Sequence, residues 1–434
     1  MSKTVFINAR IVDGTGRTAI EDGVLSFGEG SKILYAGDRA AYNLTDNPAD
    51  TRIDLAGHTV VPGLFNVHVH LWMEGGKYDF ECDPYGIPFR TMLYLRNLSD
   101  ALLTGVTTIR SVGGSDDIDL AVRKAVNKGM FWGARLVTCG SPIKPHGGHC
   151  HLTRGSVFAS GPAQFMEAVR TEMSKGVDQV KLMYTGGAGG TTAEGMFDKH
   201  ITDEEAVAAC QVAHMRGKKV AAHLSNDEAI RAAVAAGIDS VEHAYSLSYD
   251  TAVEMAQRGC YLVPTLVMTN GEDMFRRKEA RGNFPPIIFQ RLDAHRLRHM
   301  ESIRNAVKAG VTLCTGTDTA PGEHVGGTWA TTREIELLVE AGLTPLEAIR
   351  AGSYNGACLC DLQEVTGSLR AGMEGDFLVV EGVPDRNIAD LRNLRLVAKG
   401  NRVIHSTLAG LLPNNELVPA TKYIDDPNAS PPIW

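Results

Sequence analysis

The sequence has no excess of basic residues and no hydrophobic run long enough to cross a membrane. Lys and Arg number 43 against 51 Asp and Glu, which gives a formal net charge of −8. No stretch reaches the roughly 18 consecutive apolar residues that a transmembrane helix needs. Residues 1–8 resemble a strand and contain no apolar signal region. We therefore expect a cytoplasmic protein that binds neither nucleic acid nor membranes.

Cysteine is present without the spacing of a metal-binding or redox motif. The eight cysteines are scattered, and no C-x-x-C pair occurs among them. Cys358 and Cys360 are two positions apart in a helix-like segment, where they do not face each other. We predict buried, reduced thiols and no zinc site built from cysteine.

A unit of strand, loop and helix recurs through most of the chain. Eight short β-branched runs lie at residues 60–70, 106–112, 135–139, 179–184, 219–224, 240–244, 261–266 and 311–318. Helical patterns lie between them at residues 163–175, 203–216, 227–236 and 289–309. Glycines stand where a helix end needs left-handed backbone: Gly105, Gly176, Gly217, Gly237, Gly259 and Gly310. This pattern predicts an α/β protein with a (β/α)8 TIM barrel over residues 60–359, with an open doubly wound sheet as the alternative.

The two ends of the chain read differently from its centre. Residues 1–59 and 360–410 contain short strand-like segments separated by turns. Chain ends often lie close together, so we expect both segments to build one small composite β-sandwich domain. Residues 411–434 are rich in Pro and Asn, and we interpret them as an extended tail.

A pair of histidines, His68 and His70, closes the first of the eight runs. Residues two apart in a strand point to the same face, so both imidazoles aim into one space. Such a pair suits a metal ion, although two histidines at a strand edge can also be merely exposed.

Four more metal-compatible residues fall at later strands. Lys181 is a lone cation inside an apolar run, where it either extends to the barrel mouth or has become a carbamate by reaction with carbon dioxide. His223 and His243 close the fifth and sixth runs, as core histidines or as ligands. Asp318 closes the eighth run, as a helix cap or a ligand. A barrel carries its chemistry at these strand ends, so the six together predict a metal centre.

These motifs resemble those of the amidohydrolase superfamily. The similarity is greatest to its imidazolonepropionase-like branch, which includes metal-dependent prolidases, arginine and lysine carboxypeptidases and ochratoxin amidases. The segments that carry the resemblance are residues 62–70, Lys181, His223, residues 240–243, 316–318 and 367–377, with 145–151, 184–187 and 262–266 for the branch.

The resemblance implies a binuclear centre, usually of zinc. One ion is held by His68, His70 and Asp318, and the other by His223 and His243. Carboxylated Lys181 bridges the two ions. Imidazole and carboxylate suit Zn²⁺, and Mn²⁺ or Co²⁺ remain alternatives.

The expected reaction is hydrolysis of an amide C–N bond. A hydroxide that bridges the ions attacks the carbonyl, while Asp318 accepts the proton and delivers it to the departing amine. The expected substrate is a small N-acyl amino acid, dipeptide-like amide or aryl amide. Five loop residues are candidates for binding it: His149, His151, Tyr184, Tyr245 and Arg154.

Other functions follow from the same residues. An aryl carbamate or phenylurea offers a carbonyl open to the same attack, so its hydrolysis is the alternative reaction. A catalytically inactive structural homologue is disfavoured because all six ligand candidates are present. The family resemblance and the extended tail also lead us to expect a homo-oligomer.

Overall fold

The computed structural model describes residues 3–28, 30–43, 48–73, 86–149, 155–189, 195–280, 285–408 and 411. Nearly all of the tail expected at 411–434 lies outside the described residues, as do the candidate substrate residues His151 and Arg154.

The secondary structure alternates through the centre of the chain and is mainly β at its ends. The strands are β1 (Thr4–Ile11), β2 (Ile20–Phe27), β3 (Ile33–Asp38), β4 (Thr51–Asp54), β5 (Thr59–Pro62), β6 (Leu64–Val69), β7 (Val106–Ser111), β8 (Arg135–Thr138), β9 (Ile143–Lys144), β10 (Val157–Phe158), β11 (Val180–Met183), β12 (Val220–Leu224), β13 (Ser240–His243), β14 (Tyr261–Val263), β15 (His324–Val325), β16 (Thr328–Trp329), β17 (Phe377–Val380), β18 (Leu394–Lys399) and β19 (Arg402–Ser406). The α-helices are α1 (Gly86–Leu103), α2 (Ile118–Asn127), α3 (Pro162–Lys175), α4 (Asp203–His214), α5 (Asp227–Ala236), α6 (Tyr249–Gln257), α7 (Leu266–Thr269), α8 (Glu272–Ala280), α9 (Pro286–Ala294), α10 (Arg296–Ala309), α11 (Ala330–Glu340), α12 (Pro345–Ala351) and α13 (Tyr354–Leu359). Short 3-10 helices span Arg39–Ala41 and Ile388–Arg392.

Strands from both chain ends pair into one sheet. Its order is β19-β18-β17-β5-β1-β2-β3, with β4 beside β1. The two ends meet where β17 runs antiparallel to β5. Phe27 and Phe377 stack at 5.2 Å between ring centroids, and Phe6 meets Phe377 edge-on at 5.4 Å. A two-sheet sandwich is not shown by this pairing, because β1 bonds β4 along its first half and β5 along its second.

The central strands pair in parallel, as the α/β prediction requires. One sheet has the order β6-β7-β8, and a second has the order β10-β9-β11-β12-β13-β14. Single parallel bridges join Val69 to Thr319 and Leu262 to Leu313, so the eighth predicted run lies between β14 and β6 without forming a regular strand. All six glycines expected at helix ends have positive φ, as predicted. These pairings alone do not close an eight-stranded ring.

Two predicted elements are divided in the structure. The run at residues 60–70 splits at Gly63, because a Cβ there would lie 2.2 Å from Thr107 Oγ1 and only glycine lets the chain pass from β5 to β6. The helix expected at 289–309 is interrupted at His295, which leaves the helical conformation and packs edge-on against Phe197 at 4.8 Å. No helix in the described part of the chain combines the length and hydropathy needed to span a lipid bilayer.

Candidate metal centre

The structure brings all six predicted ligand residues to one pocket, which has about 1160 Å³ of space including its open mouth. Five of these residues lie at or just beyond the carboxyl end of a central strand or of the extended eighth segment, and Lys181 lies inside β11. Parallel strands end at the same edge, so the topology gathers residues that are far apart in the chain. The six are His68, His70, Lys181, His223, His243 and Asp318.

The donor atoms lie close enough to share cations. The ligand atoms of His68, His243 and Asp318 all lie within 4.8 Å of one another. Asp318 Oδ1 is 3.1 Å from His70 Nε2 and 3.4 Å from His68 Nε2. The ring centroids of His223 and His243 are 4.5 Å apart. This spacing unites the two predicted half-sites in one cluster.

The electrostatics disfavour the charged forms of three imidazoles and favour the ionised form of Asp318. Burial lowers the pKa of His70, and it lowers the pKa values of His223 and His243 well below the usual value. Burial also lowers the pKa of Lys181. For Asp318, burial alone would raise the pKa, but the facing imidazoles, His68 foremost, hold it well below its usual range. Neutral imidazole and ionised carboxylate are the forms that bind metal.

One buried nitrogen in this cluster lacks the partner that buried polar atoms normally have. His70 Nδ1 is buried without a hydrogen-bond partner in the described part of the chain. Lys181 is 1% exposed and lines the same pocket. An amine with a lowered pKa beside four imidazoles and a carboxylate fits a site for divalent cations.

The backbone near the ligands adopts conformations that side chains seldom tolerate. His243, Ala244 and Asp318 have φ values of 76°, 59° and 55°. Non-glycine residues in this region are strained, and such strain collects at functional sites. Gly316 lies against His68, where a Cβ would come 2.6 Å from the His68 Cβ. The approach of the eighth segment to β6 therefore requires glycine.

A buried ion pair beneath the ligands was missed by the sequence analysis. Glu242 Oε2 accepts a hydrogen bond from His68 Nδ1 at 2.8 Å, and Glu242 Oε1 accepts one from Arg110 Nη2 at 2.7 Å. Burial alone would raise the pKa of Glu242, but Arg110 and His68 outweigh burial and lower it to about 2. The sequence did contain a signal, because Arg110 and Glu242 are opposite charges inside apolar strands.

Of the three candidate substrate residues that the structure describes, two line the pocket and one does not. His149 lines the pocket, and its ring stacks on His223 at 4.5 Å. Tyr245 lines the pocket with its ring parallel to His243. Tyr184 is not brought there: it is buried, and its hydroxyl lies 3.4 Å from Asp203. The reason is strand alternation, because Lys181 and Met183 face the pocket and the next residue faces away.

An apolar wall and three charged side chains also line the pocket. Sequence reasoning did not find them, because they carry no motif. The larger apolar members are Trp72, Met73, Met183, Met268, Phe275, Ile288 and Leu292, and the charged ones are Lys144, Lys278 and Glu323.

Comparison with known proteins identifies the family. Residues 59–415 match the model of the Amidohydrolase family. The chain is 27% identical to the ochratoxinase of Aspergillus niger over 386 residues, which cover 81% of this chain and 75% of that protein.

Solved structures give the same result. A Xaa-Pro dipeptidase with bound methionine in its active site has a TM-score of 0.81 and 26% identity, over 92% of this chain and 99% of that one. Phenylurea hydrolase B has a TM-score of 0.72 over 96% of this chain and 99% of that one, and its 19% identity shows the fold alone.

The family match and the relatives therefore define a hydrolase, and its secondary structure is of the α/β type. The chain belongs to the amidohydrolase family, so the resemblance inferred from its motifs is confirmed.

Proposed function

We propose that this protein hydrolyses an amide C–N bond in an N-acyl amino acid, a dipeptide-like amide or an aryl amide. The observation that carries the proposal is the convergence of six ligand-type side chains on one pocket with an apolar wall. An apolar wall with a few convergent polar groups is typical of sites for small organic ligands. Membership of the amidohydrolase family, with an ochratoxinase among the relatives, supports the reaction class.

The proposal includes two divalent metal ions, with zinc as the first choice. His68, His70 and Asp318 would hold one ion, His223 and His243 the other, and carboxylated Lys181 would bridge them. When bound, such ions supply Lewis acidity that polarises a carbonyl and lowers the pKa of water. Burial lowers the pKa of Lys181, and the uncharged amine is the form that reacts with carbon dioxide.

In this mechanism the chain's own residues move the proton and hold the substrate. Asp318 is ionised and lies 3.1 Å from His70, so it can accept a proton from the attacking water. It then delivers that proton to the nitrogen of the departing amine. His149 donates a hydrogen bond to the substrate, and Tyr245 with the apolar wall excludes water from the acyl or aryl group.

The proposal also covers assembly and architecture. We expect the central strands to close into a (β/α)8 barrel, and we expect a cytoplasmic homo-oligomer. Light scattering on the purified protein and fractionation of the producing cells test the last two expectations.

The deciding experiment is metal analysis combined with a substrate panel. Protein purified without chelators should contain close to two equivalents of transition metal by mass spectrometry and should lose hydrolysis after chelation. The panel compares N-acyl amino acids and aryl amides with aryl carbamates and phenylureas. Turnover of the amides alone supports the proposal, turnover of carbamates or ureas alone supports the alternative reaction, and metal-replete protein inactive on every amide contradicts it.

A further inference from the structure

Thr265 has a backbone conformation that a β-branched residue rarely adopts. It is fully buried and left-handed, with φ 57° and ψ 41°. β-Branched side chains at positive φ are true outliers, and they persist only where their surroundings hold them. Thr265 Oγ1 lies 2.8 Å from His243 Nδ1. The strained residue is therefore bonded to a proposed metal ligand.

Glu334 holds the backbone that follows Thr265. Its Oε1 accepts the Leu266 N–H and its Oε2 accepts the Val267 N–H, both at 2.8 Å. These N–H groups open α7 and have no partner within that helix. Glu334 is fully buried, and among the described residues its carboxylate is bonded to backbone N–H groups rather than to a cation. A buried carboxyl without a cation is unfavourable for stability, which suggests a role beyond packing.

A second contact ties His243 to the same short helix. His299 Nε2 donates to the His243 carbonyl at 3.0 Å, and its Nδ1 lies 2.9 Å from the hydroxyl of Thr269 at the end of α7. The His243 ring is thus bonded to the residue that precedes α7, and its carbonyl is linked through His299 to the last residue of α7. With Nδ1 bonded to Thr265, Nε2 is the nitrogen left for the pocket.

We propose that Glu334 is a positioning residue for the metal centre. By clamping the start of α7 it keeps Thr265 left-handed, and Thr265 then fixes the orientation of the His243 ring. The inference rests on the proposed function, because it takes His243 as a metal ligand. Partners that orient a ligating histidine typically change metal affinity by about 10–100-fold when removed.

The experiment measures metal affinity in the full chain by competition with a chromophoric chelator. We expect Glu334→Ala and Thr265→Val to weaken the affinity for one of the two ions by about 10–100-fold, while the affinity for the other ion is retained. Thr265→Ser keeps the hydroxyl and should therefore keep a metal affinity close to that of the wild type. Glu334→Gln keeps an acceptor for one N–H and should fall in between. The visible spectrum of cobalt-substituted protein reports the same change without an activity assay.

Glu336 provides a matched control on the same helix. Its carboxylate is buried like that of Glu334 but pairs with Arg392 and Arg333, away from the pocket. Glu336→Ala should lower the melting temperature and leave the affinities for both ions and the cobalt spectrum unchanged.

The outcomes separate the two proposals. Wild-type protein that holds no stoichiometric metal overturns the proposed function and this inference with it. If the wild type holds two ions, and Glu334→Ala and Thr265→Val bind both with unchanged affinity, the positioning role alone is overturned. Equal losses of metal affinity in Glu334→Ala and Glu336→Ala also overturn the positioning role, since they would reflect general destabilisation. If the alanine variant does not fold, Glu334→Gln and Thr265→Val decide the question.

Discussion

His68 Nδ1 lies 2.8 Å from Glu242 Oε2, and neither side chain is more than 1% exposed. The same carboxylate neutralises Arg110, which is also fully buried. We expect Glu242→Ala to lower the free energy of unfolding by about 3–5 kcal/mol, because it leaves the Arg110 charge buried and unpaired. Urea unfolding measures this loss. The double variant Arg110→Met with Glu242→Leu should lose less, and an equal or larger loss would contradict the explanation.

Asp318 is expected to carry the proton. Asp318→Asn should reduce kcat by about 10²–10⁴-fold, because general acid–base catalysis contributes on that scale. Steady-state kinetics on a substrate from the panel measure the effect, with metal content determined on the same sample. An undiminished rate in a metal-replete variant removes Asp318 from catalysis.

Lys181 is expected to hold the two ions together. Lys181→Ala should load at most one equivalent of metal, because the bridging ligand is gone. Lys278 is a matched control, since it also lines the pocket but lies 3.3 Å from Glu323. Mass spectrometry should find full loading in Lys278→Ala, and full loading in Lys181→Ala would refute the carbamate bridge.

Asp119 makes stability depend on pH away from the ligands. Burial raises the pKa of this carboxyl from 3.8 to about 6. The folded protein therefore keeps a proton that the unfolded chain has lost, so stability falls as pH rises from about 4 to 6. Asp119→Asn removes this penalty. The free energy of unfolding of the variant, relative to that of the wild type, should be up to about 3 kcal/mol higher at pH 7.5 than at pH 4.

Urea unfolding of both proteins at the two pH values tests the prediction for Asp119. Thr138 Oγ1 donates to this carboxyl, and the asparagine carbonyl can accept the same bond. A difference between the proteins that does not change with pH would show that the carboxyl is already ionised at pH 4.

The meeting of the six candidate ligands in one pocket could be predicted from the sequence, because each lies on or next to one of the predicted strands. The pair His68 and His70 has the period of two that puts both side chains on one face, and the other candidates lie inside or at the end of later runs. The α/β alternation and the glycine helix ends were predictable for a similar reason, since both depend on neighbours in the chain.

The supporting contacts could not be predicted, because they join elements that are distant in sequence. Glu334 reaches Leu266, and Arg110 reaches Glu242, only once the strands and helices have assembled. Tyr184 was misplaced for a different reason. The prediction used its position at the end of a strand and did not consider which face of the strand its side chain occupies. Pairing at the chain ends was also beyond local pattern, because β1 changes partners along its length.

Gly63 has a consequence for the order of folding. It joins β5, which pairs with β17 on one side and β1 on the other, to β6, which carries His68. The strand that carries His68 is therefore anchored on one side by residues synthesised long after it. Pairings of such long sequence separation form slowly. The cluster of imidazoles should become rigid only after β17 has docked, so a nascent chain released before that point would lack a settled first ligand.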